Sequence, residues 1–427
     1  MLENWSVLLG ALACCACAWL RPRRVNARGT LTIGTGGDRR PVRLPSGANS
    51  GSHTLIVGAT GSGKTVTEAL MLDQAIARGH AAVVVDPKGD RLLRETARRA
   101  AIAAGRRFIE WTPDGPAIYN PYGHGSPSEI ADKALAAERW SEPHYQRQAQ
   151  RYLATVARAL AAQGAVASPR RLLELMDVRE LELVARGLAD ERLAREIYAY
   201  LDSLDPRTRA GLGGVRDRVA ILVESELGHW LEPRAGALEL DLLAAVRDRA
   251  VVYFRLDADR LPLLGQMLAA AIVQDLLTVA AACQGEPVPS IVAIDEFSAI
   301  GAGAVARLFG RARAAGMSLV LVTQELADLR AVDAELLEQV IGNVEAVIAH
   351  RQNVPASAEL VAQIAGTRLV WNRTEQLERS VPTGRATRTR GREYVIHPDA
   401  IKALPVGCAA VAITGSGRCA LARIDHP

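Results

Sequence analysis

The stretch Gly58-Ala59-Thr60-Gly61-Ser62-Gly63-Lys64-Thr65 has the residue types, at the spacing, that a nucleoside triphosphate demands. Glycines let the backbone curl so that successive N–H groups face a β-phosphate, and a helix opening at the loop's end adds partial positive charge. Lys64 is placed to bridge β- and γ-phosphates, and the Thr65 hydroxyl to ligate Mg²⁺. The flanks are those such a loop requires: an apolar strand, Thr54 to Val57, before it and helical patterning through VTEALMLDQAIARG after it.

A phosphate loop alone hydrolyses nothing, so water and metal need further groups. The apolar run Ile291 to Ile294 ends in Asp295-Glu296, a strand that delivers two carboxylates to the carboxyl edge of an open α/β sheet. Asp295 is expected to hold the Mg²⁺ shell, and Glu296 to orient or deprotonate the attacking water. The next strand, MSLVLVT, ends on Gln324. Where a strand lies between the phosphate-loop strand and the Asp-Glu strand, its tip falls near the γ-phosphate, so Gln324 is expected to sense it. Arg311 and Arg313 lie just upstream, and either suits a finger that reaches a neighbouring subunit's nucleotide. There is no N-K-x-D segment, so adenine is the expected base and ATP with Mg²⁺ the expected pair.

These groups require a parallel sheet. AAVVVD reads as another of its strands, stopped by Pro87, which removes an N–H, and by Gly89, which permits a tight turn. The punctuation is explained; the choice of Asp86 and Lys88 is not. From Gly125 to about Glu232 the chain reads as successive amphipathic helices with little β character, and RAVVYFRLDA then returns to strand patterning. LGQMLAAAIVQDLLTVAAA reads as a buried helix.

Taken together, GATGSGKT, DPKGD, IYNPYG, IDEF and LVTQELADL resemble the type IV coupling proteins of the TraG/TraD group. The closing Pro398, Ile401, Leu404, Pro405 and Gly407 resemble that group's final pattern, so the likeness runs from about Leu31 to Ile413. It implies a RecA-like P-loop NTPase of the α/β class, with an inserted all-α domain and an N-terminal membrane anchor. The implied division is an anchor at 1–24, a nucleotide-binding domain at 25–124 and 233–427, and the all-α insertion at 125–232. Lys64, Thr65, Asp295, Glu296 and Gln324 match the group's nucleotide site, and Arg313 matches its arginine finger better than Arg311 does. The implied activity is ATP hydrolysis coupled to passage of DNA, as a relaxase-bound single strand, through a conjugation channel. Implied partners are inner-membrane channel proteins and further copies of the chain, in a hexamer. Other readings are an FtsK- or HerA-like double-stranded DNA translocase, a motor that moves protein, and a slow nucleotide-binding recruitment scaffold.

The totals set bounds. A chain of 427 residues suits one large α/β domain with an insertion, or two domains. A net charge of +4 permits a polyanionic partner without announcing one, and aromatics at 4% favour backbone contacts over base stacking. Of Cys14, Cys15, Cys17, Cys283, Cys408 and Cys419, the three downstream ones form no C-x-x-C pair and no histidine lies at zinc-finger spacing, so reduced thiols are the expected reading. Trp5 to Leu20 is uncharged and followed by RPRR, which suits a single span in the inner membrane with the body in the cytoplasm. At about 1.5 Å per residue the span reaches roughly 24 Å, a little short of the hydrocarbon core. The arginines at 373, 385, 388, 390 and 392 read either as a DNA contact or as a solvated loop, with Pro382 and Gly384 favouring the loop.

Overall fold

The structure is a computed structural model, and it describes residues 29–45, 52–138, 140, 142–299, 302–378 and 381–427. The segment 5–20, read above as a membrane span, lies outside the described residues.

Its strands are β1 (Thr30–Gly36), β2 (Pro41–Pro45), β3 (Thr54–Val57), β4 (Ala81–Asp86), β5 (Phe108–Trp111), β6 (Ala117–Ile118), β7 (Leu238–Glu239) and β8 (Val251–Arg255). There follow β9 (Ser290–Ile294), β10 (Met317–Thr323), β11 (Ala346–Ala349), β12 (Thr367–Glu378), β13 (Val381–Tyr394), β14 (Cys408–Ile413) and β15 (Arg418–Ile424). An 11-stranded sheet takes the order β2-β1-β15-β14-β11-β3-β10-β9-β4-β8-β5. From β5 to β11 neighbouring strands run parallel; from β11 to β2 they run antiparallel.

The inner parallel strands are largely apolar because helices cover both their faces. Leu55, Val57, Val83, Val85, Val292, Ile294, Leu319 and Leu321 face one layer, which includes the helix Pro262–Cys283. Ile56, Val84, Ala293, Val320, Val322 and Ile348 face the other, formed by the helices Lys64–Ala77 and Arg91–Ala103. Among the described residues, Pro262–Cys283 alone is long and apolar enough to cross a membrane, but 78% of its apolar window is buried in the protein. It is the buried helix that the sequence implies.

Between β6 and β8 the chain forms helices at Pro127–Ala134, Pro143–Ala162, Pro169–Leu175, Val178–Arg186, Glu191–Asp202 and Pro206–Glu224. Ser126, Ser168, Asp177, Asp190 and Asp205 each accept an N–H of the helix that follows, supplying orphan donors with a partner. Tyr152, Val156, Leu160, Leu172, Leu181, Ile197, Leu201 and Val219 give this bundle its own core. It is tied to the sheet domain where the short strands pair, Ala117 with Leu238 and Ile118 with Glu239. A second tie is buried: Asp275, on the long core helix, accepts from Lys133 Nζ at 2.6 Å and from the Tyr119 hydroxyl at 2.8 Å.

The arginine-rich segment corrects the loop expectation. β12 and β13 pair antiparallel as a separate two-stranded ribbon from Thr367 with Tyr394 to Glu378 with Val381, with a register shift between Glu375 and Leu377. Pro382 and Gly384 lie near its turn end, where they do not interrupt the pairing of Thr387 to Tyr394.

Candidate nucleotide site

β3 ends at Val57, the loop turns through Gly58 to Gly63, and the following helix starts at Lys64. Gly63 has φ +113°, a conformation that a side chain would strain. At Gly58 an added Cβ would lie 2.6 Å from His350 Cβ and 2.7 Å from Ser62 Oγ, so only glycine fits. The loop is held from outside as well: Ala59 N–H donates to the Arg351 carbonyl at 2.9 Å, and Gly407 N–H to the Ser62 carbonyl at 3.1 Å. The leading amides of the helix have no preceding turn to satisfy them, which makes this end an anion site. Lys64 Nζ donates to the Gly58 carbonyl at 2.7 Å, and burial lowers its pKa against the pull of Glu296 and Asp295.

β10 lies between β3 and β9, so the tips of β4, β9 and β10 and the loop meet at one edge. Glu296 Oε1 accepts from Lys88 Nζ at 2.9 Å and from Gln324 Nε2 at 2.6 Å, and Gln324 Oε1 accepts from Thr60 Oγ1 at 2.9 Å. The line Lys88–Glu296–Gln324–Thr60 thus joins those strand tips to the phosphate loop. Glu296 stands in the left-handed region at φ +46°, and its N–H donates to Asp295 Oδ1 at 3.0 Å. A strained non-glycine backbone at this point redirects the chain as it leaves β9. Burial works against the charge on Lys88, but its hydrogen bond to Glu296 and the nearby carboxylates outweigh that and hold its pKa above the ordinary lysine value.

Burial, Glu296 and Asp86 together raise the Asp295 pKa to about 7. Glu68 is fully buried, and neither of its carboxyl oxygens has a hydrogen-bond partner among the described residues. Burial first, then Asp295, Asp86 and Asp90, pushes it well above the usual carboxylate range. Acids crowded in this way, beside Thr65, are the environment a divalent cation relieves. Among the described residues no three His, Cys, Asp or Glu side chains form a protein-only metal cage. The donor set fits Mg²⁺, which commonly takes one or two protein ligands and completes its shell with waters and phosphates.

The turn after β4 separates into a structural and a polar element. Asp86 accepts from the N–H groups of Lys88 at 2.8 Å, Gly89 at 2.7 Å and Asp90 at 2.6 Å, and from the Tyr253 hydroxyl. It folds the turn that sends Lys88 to Glu296. Sequence reasoning passed over Glu68 and His350. Glu68 had one signal, an acid four residues after Lys64 inside an apolar helix face. His350 lies under the loop: its Nδ1–H donates to the Cys408 carbonyl at 3.0 Å, and its Nε2 accepts from Thr67 Oγ1 at 2.9 Å. Burial lowers its pKa to about 4.

Arg313 and Arg311 do not join this site. Both are exposed and precede the amino end of β10, which spans 7 residues, so Gln324 lies roughly 23 Å away along the strand. Arg313 Nη2 is 3.7 Å from Glu345 Oε1, and its charge adds to burial in lowering the neighbouring His53 to about 4.

Residues 42–200 match the family model of the type IV secretion-system coupling protein DNA-binding domain, and residues 289–406 that of the TraM recognition site of TraD and TraG. A comparison with curated proteins by sequence found no match. Among solved structures, the bacterial conjugative coupling protein TrwBdeltaN70 in an unbound form is similar at a TM-score of 0.69 and 18% identity, over 92% of this chain and 88% of that one. TrwB in complex with ADP and Mg²⁺ is similar at 0.66 and 19%, over 93% and 89%. VirB4 of Thermoanaerobacter pseudethanolicus is similar at 0.59 and 14%, over 94% and 98%. Both family models fall on the parts of the chain that build the phosphate loop and the Asp-Glu and Gln tips, and the fold is that of TrwB; the chain belongs to the TraG/TraD family of type IV secretion-system coupling proteins.

Proposed function

We propose that this chain is the ATPase that couples ATP hydrolysis to DNA transfer through a type IV secretion channel, with the DNA arriving as a relaxase-bound strand. The carrying observation is the line Lys88–Glu296–Gln324–Thr60, which sets an acid, an amide and the phosphate loop within hydrogen-bond reach of one another.

The backbone from Gly58 through Ala59, Thr60, Gly61, Ser62 and Gly63 cradles the phosphates, and Lys64 moves from the Gly58 carbonyl to the β- and γ-oxygens. Thr65 and Asp295 are the residues to hold Mg²⁺, which when bound neutralises charge on those oxygens. Glu296 orients the attacking water and takes its proton, held in place by the hydrogen bond from Lys88. Gln324 reports the γ-phosphate by exchanging its bond to Thr60. Arg313 serves the nucleotide of the next subunit, since its own lies at the other end of β10. This requires a ring, and a hexamer anchored through residues 1–24 in the inner membrane fits the family. The helical insertion, 125–232, presents cargo to the two parts of the nucleotide-binding domain at 25–124 and 233–427.

The test is ATP turnover by the full chain across a concentration series, with and without single- and double-stranded DNA. Turnover that rises steeply with concentration and with DNA is expected. Flat turnover blind to DNA removes the DNA-motor reading and leaves a recruitment scaffold or a motor that moves protein.

A further inference from the structure

We infer that one face of the β12–β13 ribbon is a DNA-contacting arm that takes the phosphate backbone; this rests on the DNA-transfer reading above.

Opposed residues of an antiparallel pair share a face, and faces alternate along each strand. Leu369 pairs with Arg392, Trp371 with Arg390, and Arg373 with Arg388, so all of these lie on one face. The other face carries Arg368 opposite Glu393, Val370 opposite Gly391, Asn372 opposite Thr389, and Thr374 opposite Thr387. Within 367–375 and 386–394, the first face therefore collects four arginines against one acid, Glu375 opposite Ala386, while on the second one arginine meets one glutamate. The chain as a whole is only +4, so this concentration is local.

The face is open to solvent. Arg373, Arg388, Arg390 and Arg392 are exposed. Trp371 and Leu369 are 61% and 67% exposed. The Arg390 guanidinium lies 4.8 Å from the Trp371 ring centre, which holds it flat over an aromatic ledge. Arg392 Nη1 donates to Thr367 Oγ1 at 3.3 Å, so that side chain too has a set direction. Arginines at every second residue stand about 7 Å apart along a strand, close enough for neighbouring phosphates of one backbone to be met in turn. Guanidinium forks suit phosphate oxygens, and a two-stranded ribbon is narrow enough to enter a major groove. An apolar partner surface would find a row of charges here. An acidic polypeptide would find charge, but at irregular spacing.

The ribbon also joins the nucleotide site at both its ends. Upstream of β12, Arg351 and His350 hold the phosphate loop and the helix behind it; downstream of β13, Gly407 holds the same loop. Between them, Val395 N–H donates to the Gly366 carbonyl at 3.0 Å and closes the ribbon's base.

The experiment measures binding of the full chain to fluorescent single-stranded and duplex oligonucleotides, over NaCl from about 50 to 200 mM. It compares wild type with the triple variants Arg388→Gln/Arg390→Gln/Arg392→Gln and Arg388→Lys/Arg390→Lys/Arg392→Lys. The glutamine variant is expected to lose roughly 10- to 100-fold in affinity. Its log–log salt slope should flatten by about 2 if the arm holds a single strand, or by nearly 3 if it holds duplex. The lysine variant should keep most of the slope. ATP turnover without DNA should stay at the wild-type level in both. Should the glutamine triple lose that basal turnover through misfolding, Arg388→Gln alone decides, with an expected flattening of about 0.7 to 0.9. Wild-type affinity and slope in the glutamine variants would overturn the arm while leaving the DNA-transfer reading intact. Loss of polyglutamate binding without loss of DNA binding would overturn it in favour of a protein dock. A wild-type chain that binds no DNA would sink both readings together.

Discussion

The same parallel strands carry opposite chemistry at their two ends. At the carboxyl edge, Asp86, Asp295, Glu296, Gln324 and Lys88 converge with the phosphate loop in a connected network, with Asp86 and Asp295 buried. At the amino edge, Arg313 stands exposed beside Glu345 and the buried His53. One edge gathers surplus acid and can relieve it with a cation. The other edge offers a guanidinium with no phosphate site of its own nearby. On the proposed reading a single chain holds both halves of a hydrolytic centre, too far apart to serve the same nucleotide. In a ring that separation becomes useful, because the amino edge of one subunit can meet the carboxyl edge of the next.

The largest effect that would sharpen this contrast comes from Glu296→Gln. ATP binding should persist while turnover falls by about 10³-fold or more, as read by nucleotide affinity and single-turnover hydrolysis. Arg313→Ala should lower turnover by roughly 10²- to 10³-fold with nucleotide affinity nearly unchanged. Mixing it with the Glu296→Gln chain is the sharper test. Ring subunits that pair an intact acid with a neighbour's intact arginine should recover measurable activity, and failure of every mixing ratio to recover any would place the arginine outside the reaction. Asp295→Asn should weaken Mg²⁺-dependent nucleotide binding by about 10-fold or more and leave Mg²⁺-independent binding close to wild type. Lys88→Gln should cost less, roughly 10-fold in kcat with little change in KM, since Glu296 keeps Gln324 as a donor.

The smallest effect at neutral pH concerns the buried histidines, one at each edge. His53 and His350 both sit near pKa 4, below the ordinary 6.5. A depressed base binds fewer protons folded than unfolded, so its contribution is complete above about pH 6.5 and is lost as pH falls toward about 4. Each is worth at most roughly 3 kcal/mol over that window. Denaturant unfolding of His350→Gln and His53→Gln at stepped pH should show a shallower acid loss than wild type, and parallel pH curves would contradict the assignment.

How far the sequence reaches differs between these groups. The phosphate loop, the Asp295-Glu296 pair and Gln324 are legible because each follows an apolar strand directly, so local pattern alone fixes its place. The position of Gln324 between the loop and the acids required one topological step, and the sheet order has it there. The partner of Lys88 was not legible: Glu296 is 208 residues away, and nothing local marks a lysine that crosses to another strand tip. His350 escaped for the same reason, since its partners Thr67 and Cys408 come from opposite ends of the fold. The ribbon was hidden differently. The run Thr387-Arg-Thr-Arg-Gly-Arg392 does alternate with period two, yet Pro382 and Gly384 drew attention to turn chemistry a few residues earlier.

The clasp on the phosphate loop has a consequence for how the protein is made. Residues 58–65 leave the ribosome well before Gly407 N–H and the Cys408 carbonyl, which fix the loop and the imidazole beneath it and lie more than 300 residues further along the chain. β14, which carries Cys408, also pairs with β11 next to the loop strand. Such distant pairings form slowly. A nascent chain therefore exposes its phosphate loop for a long stretch of synthesis without the contacts that shape it. Nucleotide capture should consequently begin only after the segment around Gly407 has emerged, and binding of ATP would mark the closing of that clasp.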